Sequence, residues 1–214
     1  MSFKATVDAI CPKGCEPIEA QVWSFVRGDK DENLRDRLLV GELNMVLCEE
    51  CKTHFSPDAT VVYLDARVEL LAFAFPKSYE KEIDKWRAKM KDDYKQMREA
   101  LDSDLPVDLE PMCLFGLDAL TDLLREEDSL EDEVMVAEHY CSELSLPVVK
   151  IARGFARERH LPRIVPVQGK KEFSREEAKK GVTALLKAND RLVAFKRWLD
   201  FCDSDEPDPP RGKA

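Results

Sequence analysis

Cys11-Pro12-Lys13-Gly14-Cys15 and, after thirty-two intervening residues, Cys48-Glu49-Glu50-Cys51 carry the reading that decides this fold. Two short cysteine hooks can wrap one zinc ion tetrahedrally, each hook giving a pair of thiolates at about 2.3 Å from the metal. Soft sulfur suits zinc and stays deprotonated against the dication. Each hook needs a tight turn that aims both side chains at one point. Pro12 fixes a backbone angle and Gly14 permits a positive φ, which the longer first hook requires. Lys13 and Lys52 flank the hooks and offset the negative charge of a zinc held by thiolates alone. Cys11, Cys15, Cys48 and Cys51 are the expected ligands, and zinc is the expected cofactor. A closed set of thiolates leaves no position for substrate, so that zinc is structural. His54, just beyond the second hook, competes as a replacement ligand. The other readings are metal-free thiols or a redox pair, although a redox pair prefers to open a helix, where the dipole lowers a thiol pKa.

Composition sets the frame for this site. The chain has 214 residues, 44% apolar and 36% charged with both signs present, which describes a folded protein. No apolar run is long enough for a membrane helix and no signal peptide opens the sequence, so a cytoplasmic protein without a membrane partner is expected. Seven cysteines, an odd number, argue for metal binding plus buried thiols, and Cys113, Cys141 and Cys202 stand alone among apolar neighbours. The formal charge of −10 argues against wholesale nucleic-acid binding. Residues 150–197 nevertheless carry fourteen Lys and Arg against five Asp and Glu, leaving −19 for the remainder. Such polarity marks either a partner surface or oppositely charged faces that pair within the fold.

Working outward from the hooks, Phe3, Ala5, Val7 and Ala9 alternate with polar residues, as do Ile18, Ala20 and Val22, so the first hook lies in a strand–turn–strand hairpin. Asp29 to Val40 reads as a short helix closed by Gly41, and Leu43 to Leu47 as a strand that delivers Cys48. Val61–Leu64 and Val68–Phe75 form a further hairpin that stops at Pro76. Beyond it the period becomes helical. Tyr79, Ile83, Trp86, Met90, Tyr94, Met97 and Leu101 make one stripe, broken afterwards by Pro106 and Pro111. The stripe suits packing on a neighbouring domain, and homo-oligomerisation through 79–101 is the alternative. Two helices are expected over Leu114–Leu124 and Val134–Leu144, the first ending in the acidic run Glu126–Asp128. An extended connection over Leu161–Gln168 precedes a last helix capped by Ser174 and Glu177 and running to Leu199. The Asp, Glu and Pro from Asp203 onward predict disorder. The expected fold is therefore α+β. A small β-rich, zinc-ribbon-like module with an inserted helix occupies 1–77, an α-helical module 78–202, and an acidic, Pro-containing tail 203–214.

Residues beyond the cysteines complete a pattern. Trp23, Ser24, Leu34, Leu38, Leu39, Gly41, Glu42, Leu43 and Asn44 lie between the hooks, and Tyr63, Asp65 and Phe73 to Pro76 follow them. Over residues 3–77 the chain resembles the CpXC family of bacterial and archaeal proteins. The first hook departs from that family by one inserted residue. The second lacks its proline and its following glycine, with Glu49 and Lys52 in those positions. The resemblance implies a metal site and the fold around it, and brings no assigned activity.

Catalysis finds little support. His139 and Cys141 suggest a nucleophile and base, yet close neighbours on a helix point apart. His160 sits among Arg153, Arg157, Arg159 and Arg163, where anion binding is the better role. No phosphate loop, dinucleotide fingerprint or zinc-hydrolase motif occurs. The function expected from the sequence is a non-catalytic, zinc-stabilised adaptor that binds a protein partner, with Arg153, Arg157, Arg159 and Arg163 as the partner-binding residues. A transcription or nucleic-acid accessory protein, using the zinc ribbon or the basic 150–197 segment, is the first alternative, and a hydrolase in the helical module the second.

Overall fold

Alternation at the front of the chain becomes a mixed sheet. The computed structural model describes residues 1–100 and 109–212, beginning with an antiparallel hairpin of β1 (Phe3–Ala9) and β2 (Ile18–Arg27) that sets Ala9 opposite Ile18. A helix α1 (Glu32–Leu39) follows, then the short pair β3 (Val46–Leu47) and β4 (His54–Phe55), and the antiparallel pair β5 (Val61–Asp65) and β6 (Leu70–Phe75). After α2 (Ile83–Ala100), β7 (Met112–Phe115) pairs parallel with β6. The sheet order is β1-β2-β5-β6-β7, with β2 and β5 also parallel. Parallel neighbours need a crossover. For β2 and β5 that crossover contains α1 and the second hook, which places the hook beside the first hairpin.

The period-two alternation of β5 and β6 feeds two cores. Val61, Tyr63, Leu70, Ala72 and Ala74 pack on one face with Leu34, Leu38, Leu120 and Leu124. Leu64, Leu71, Phe73 and Phe75 pack on the other with Met90 and the stripe Tyr79, Ile83, Trp86, Tyr94 and Met97 of the segment around α2. The stripe is thus covered by the sheet of its own unit. Leu101 and Pro106, assigned to its end and its break, lie outside the described residues. All six residues of β6 are buried, as expected of a strand covered on both faces.

The chain divides into two compact units, Met1–Arg125 and Glu126–Ala214. The boundary expected at residue 77 lies inside the first unit, because α2 and β7 complete the sheet's second core. Leu114 lies in β7 rather than in a helix. The two helices expected next are one, α3 (Leu117–Glu143), since Leu130, Val134, Ala137 and Cys141 continue the helical spacing beyond the acidic run.

The second unit adds a strand pair to its helices. β8 (Val148–Lys150) and β9 (Ile164–Pro166) are antiparallel, with α4 (Arg153–Glu158) between them and α5 (Arg175–Ala188) and α6 (Lys196–Asp203) after. Its core closes on fully buried Trp198, whose indole N–H donates to the Pro162 carbonyl at 3.2 Å. Ser174 caps α5 as expected, its Oγ accepting from the Glu177 amide at 3.3 Å. The last helix is nevertheless broken at Asn189, whose Oδ1 accepts from the Arg191 amide at 3.1 Å and makes a local turn. The acidic segment 203–212, expected to be disordered, is placed along this unit. Arg175 donates to the carbonyls of Phe201, Ser204 and Glu206, and Gly212 N–H donates to Lys150 O at 3.0 Å. Composition alone hid these partners, which lie far away in sequence.

Candidate metal centre

The turn of the β1–β2 hairpin builds the first hook. Gly14 N–H donates to Cys11 O at 3.0 Å and Gly14 adopts φ +78°, while the Lys13 amide lies 3.5 Å from Cys11 Sγ and points a donor at that sulfur. The second hook closes similarly, with Lys52 N–H on Cys48 O and Cys48 N–H on Thr53 O, both at 2.9 Å. Here the residue with positive φ is Lys52, at +58°, in the place where the CpXC pattern has glycine.

The four sulfurs of Cys11, Cys15, Cys48 and Cys51 all lie within 4.8 Å of one another, and Cys11 Sγ is 3.6 Å from Cys51 Sγ. A tetrahedron with metal–sulfur bonds of about 2.3 Å has edges of about 3.8 Å, so this spacing fits one cation at the centre. Cys11 and Cys48 are buried and the other two half-buried, among Ala9, Ala20 and Phe55 with Ile18 and Val46 alongside. The group could hold a metal ion. No carboxylate or imidazole belongs to it, and His54 is exposed on β4.

Electrostatics at the site follow from the crowding of the thiols. Hydrogen bonds from Thr53, and then from Cys48 and Cys11, bring the Cys51 thiol down to about 6. Cys15 is pushed up, first by its hydrogen bond with Cys51 and then by burial. A dication bound at this point would take the place of thiol protons.

Two supporting residues were not assigned a role from the sequence. Thr53 completes the second turn and solvates Cys51. Asn44 is buried at φ +60°, and its side chain accepts from Trp23 N at 2.7 Å and donates to Trp23 O at 3.0 Å. It ties the chain entering the second hook to β2. Both Trp23 and Asn44 belong to the CpXC pattern, so a pairing between them was the available clue.

The other predicted residues belong to the second unit. Arg157 reaches Glu127 at 3.1 Å, and Arg163 bonds Glu131 with both nitrogens at 2.6 and 2.8 Å. Arg153 lies 4.0 Å from Glu131, and Arg159 pairs with Glu206 at 2.6 Å. All four arginines thus face carboxylates of their own unit. Exposed His139 pairs with Glu143 at 3.4 Å, whereas Cys141 is buried in the core, and burial pushes its thiol up to about 11. The two do not form a catalytic pair. His160 Nδ1 lies 2.7 Å from Glu126, on the surface.

The model of the CpXC family, described as CpXC protein, matches residues 10–139 and so spans both hooks and the whole sheet after β1. Neither the curated proteins nor the solved structures contain a match. With more than half of the chain matched and its four cysteines converged on one point, the protein belongs to the CpXC family.

Proposed function

We propose that the four-cysteine centre binds zinc as a folding device, and that the protein is a non-catalytic interaction protein working in a reducing compartment such as the cytoplasm. The observation that carries the zinc reading is the all-sulfur donor set. Thiolates at tetrahedral spacing select zinc over calcium or magnesium, which require oxygen. A closed set leaves no site for substrate or hydroxide, which favours structure over hydrolysis. Seven free cysteines fit a reducing environment. The pairing of Arg153, Arg157 and Arg163 with Glu127 and Glu131 weighs against phosphate binding by that basic stretch.

Elemental analysis of the full chain, purified without chelator, tests the reading. One zinc per chain is expected, with loss of the metal from Cys48→Ser. A chain without zinc, or one with iron in its place, would contradict it.

A further inference from the structure

Residues 203–212 lie on the second unit much as a bound peptide would. Ala152 N–H donates to Pro210 O at 2.9 Å and Gly212 N–H to Lys150 O at 3.0 Å, so the segment makes one isolated antiparallel bridge, Arg211 to Ile151, just beyond the end of β8. Below it lies a cationic floor. Arg159 stacks on Phe155 at 3.9 Å and Arg175 over Phe201 at 5.2 Å, and the two rings pack edge to face at 5.7 Å. These stacked guanidinium groups, with Lys179, meet Glu206, Asp208 and Asp203 respectively. Position 212 admits only glycine, because a Cβ there would come within 2.6 Å of Ile151 O.

The floor is more firmly built than its occupant. The carboxylates of Asp203, Glu206 and Asp208 are 70%, 45% and 65% exposed, whereas Arg159 and Arg175 are 26% and 28% exposed. Within 205–212 Pro209 alone is buried. Exposed ion pairs contribute little each, and a segment with so little buried apolar surface opens locally at low cost. Opening frees the Lys150 carbonyl and the Ala152 amide beside arginines stacked on Phe155 and Phe201, a backbone and charge pattern suited to an extended acidic segment.

We propose that this groove is a docking site for an acidic, proline-containing extended segment of a partner protein, and that residues 203–212 occupy it in cis as a competitor. The proposal deepens the interaction reading above by naming the partner's chemistry. A protein without zinc would fail that reading and leave the groove untouched, while a silent groove would leave the zinc result intact.

The test uses the full chain carrying Glu206→Lys, Asp208→Lys and Gly212→Ala, which loosens the segment and preserves the floor. A labelled peptide of wild-type residues 203–212 should bind this variant at least about tenfold more tightly than wild type, and binding should weaken as salt screens the pairs. Adding Arg175→Ala should abolish it. No binding by a variant with a native circular dichroism spectrum overturns the proposal, and so does a salt-insensitive signal. Concentration-dependent dimers that exclude the peptide would assign the groove to a second copy and overturn the partner assignment. Should the variant lose its fold, hydrogen exchange on wild type decides. The Gly212 and Ala152 amides should exchange at least about a hundredfold faster than the Val149 and Val165 amides, through local opening. Equal protection would overturn exchangeability and the proposal with it.

Discussion

The central strands β5 and β6 and the two cysteine hooks belong to the same unit and differ in how much apolar surface they bury. Each face of the strands packs against helices, through Tyr63, Leu64, Leu71, Phe73 and Phe75 among others. The buried residues around the hooks are Ala9, Cys11, Ala20, Cys48 and Phe55, a cluster with one large side chain. Apolar burial at about 25 cal/mol per Å2 can hold the first region and contributes little to the second. The difference teaches that the hook region, with so small a core of its own, is where a bound metal would contribute most to the unit's stability.

Removing the metal should break the comparison most severely. Structural zinc contributes about 10–16 kcal/mol of apparent free energy in small zinc-binding peptides, so a strong chelator or Cys48→Ser should unfold the hook region outright. Hydrogen exchange should show lost protection around residues 8–20 and 46–55, with β5 and β6 still protected. Simultaneous loss in all these strands would merge the two regions. The converse experiment is Phe73→Ala, which should cost about 3–5 kcal/mol in denaturant unfolding while the folded fraction keeps its metal.

Asp29 tests the far end of the sheet. Arg27 donates two hydrogen bonds to it at 2.6 and 2.8 Å with both side chains nearly buried, and these hold the Asp29 carboxyl below its ordinary value. A depressed carboxylate stabilises the fold above its unfolded pKa of about 3.9, and that stability is lost as pH falls through the lower folded value. Asp29→Asn should therefore cost about 1.5–3 kcal/mol at pH 7 and progressively less below pH 4. A penalty independent of pH would remove the ion pair from the account. Asn44→Ala should cost about 1–3 kcal/mol by leaving the Trp23 amide and carbonyl unpaired, with exchange at the Trp23 amide as the readout. The smallest effect is a gain. Lys52→Gly should relieve a left-handed residue and raise stability by up to about 1 kcal/mol, measurable as slower zinc loss to a chelator.

How far the sequence could be read follows the range of the interactions involved. The strands β1, β2, β5 and β6 were legible because their alternation is local, and the convergence of the four cysteines because two short spacings nearly define its geometry. β7 was read as the start of a helix, since Leu114 fits the spacing of Leu117 and Leu120 and its parallel pairing with β6 is nonlocal. The acidic run after Leu124 looked like a helix end. Arg157 and Arg163, thirty residues on or more, give Glu127 and Glu131 of that helix their partners. The 203–212 segment failed for the same reason, because Arg159 and Arg175 lie well upstream of it. Composition reports what a segment can bury by itself and not which charges will meet it.

X-ray absorption at the zinc edge on the full chain measures the centre itself. The account predicts four sulfur scatterers at about 2.3 Å and no nitrogen or oxygen bound to the metal. A nitrogen or oxygen ligand, or a protein that carries no zinc, would contradict it.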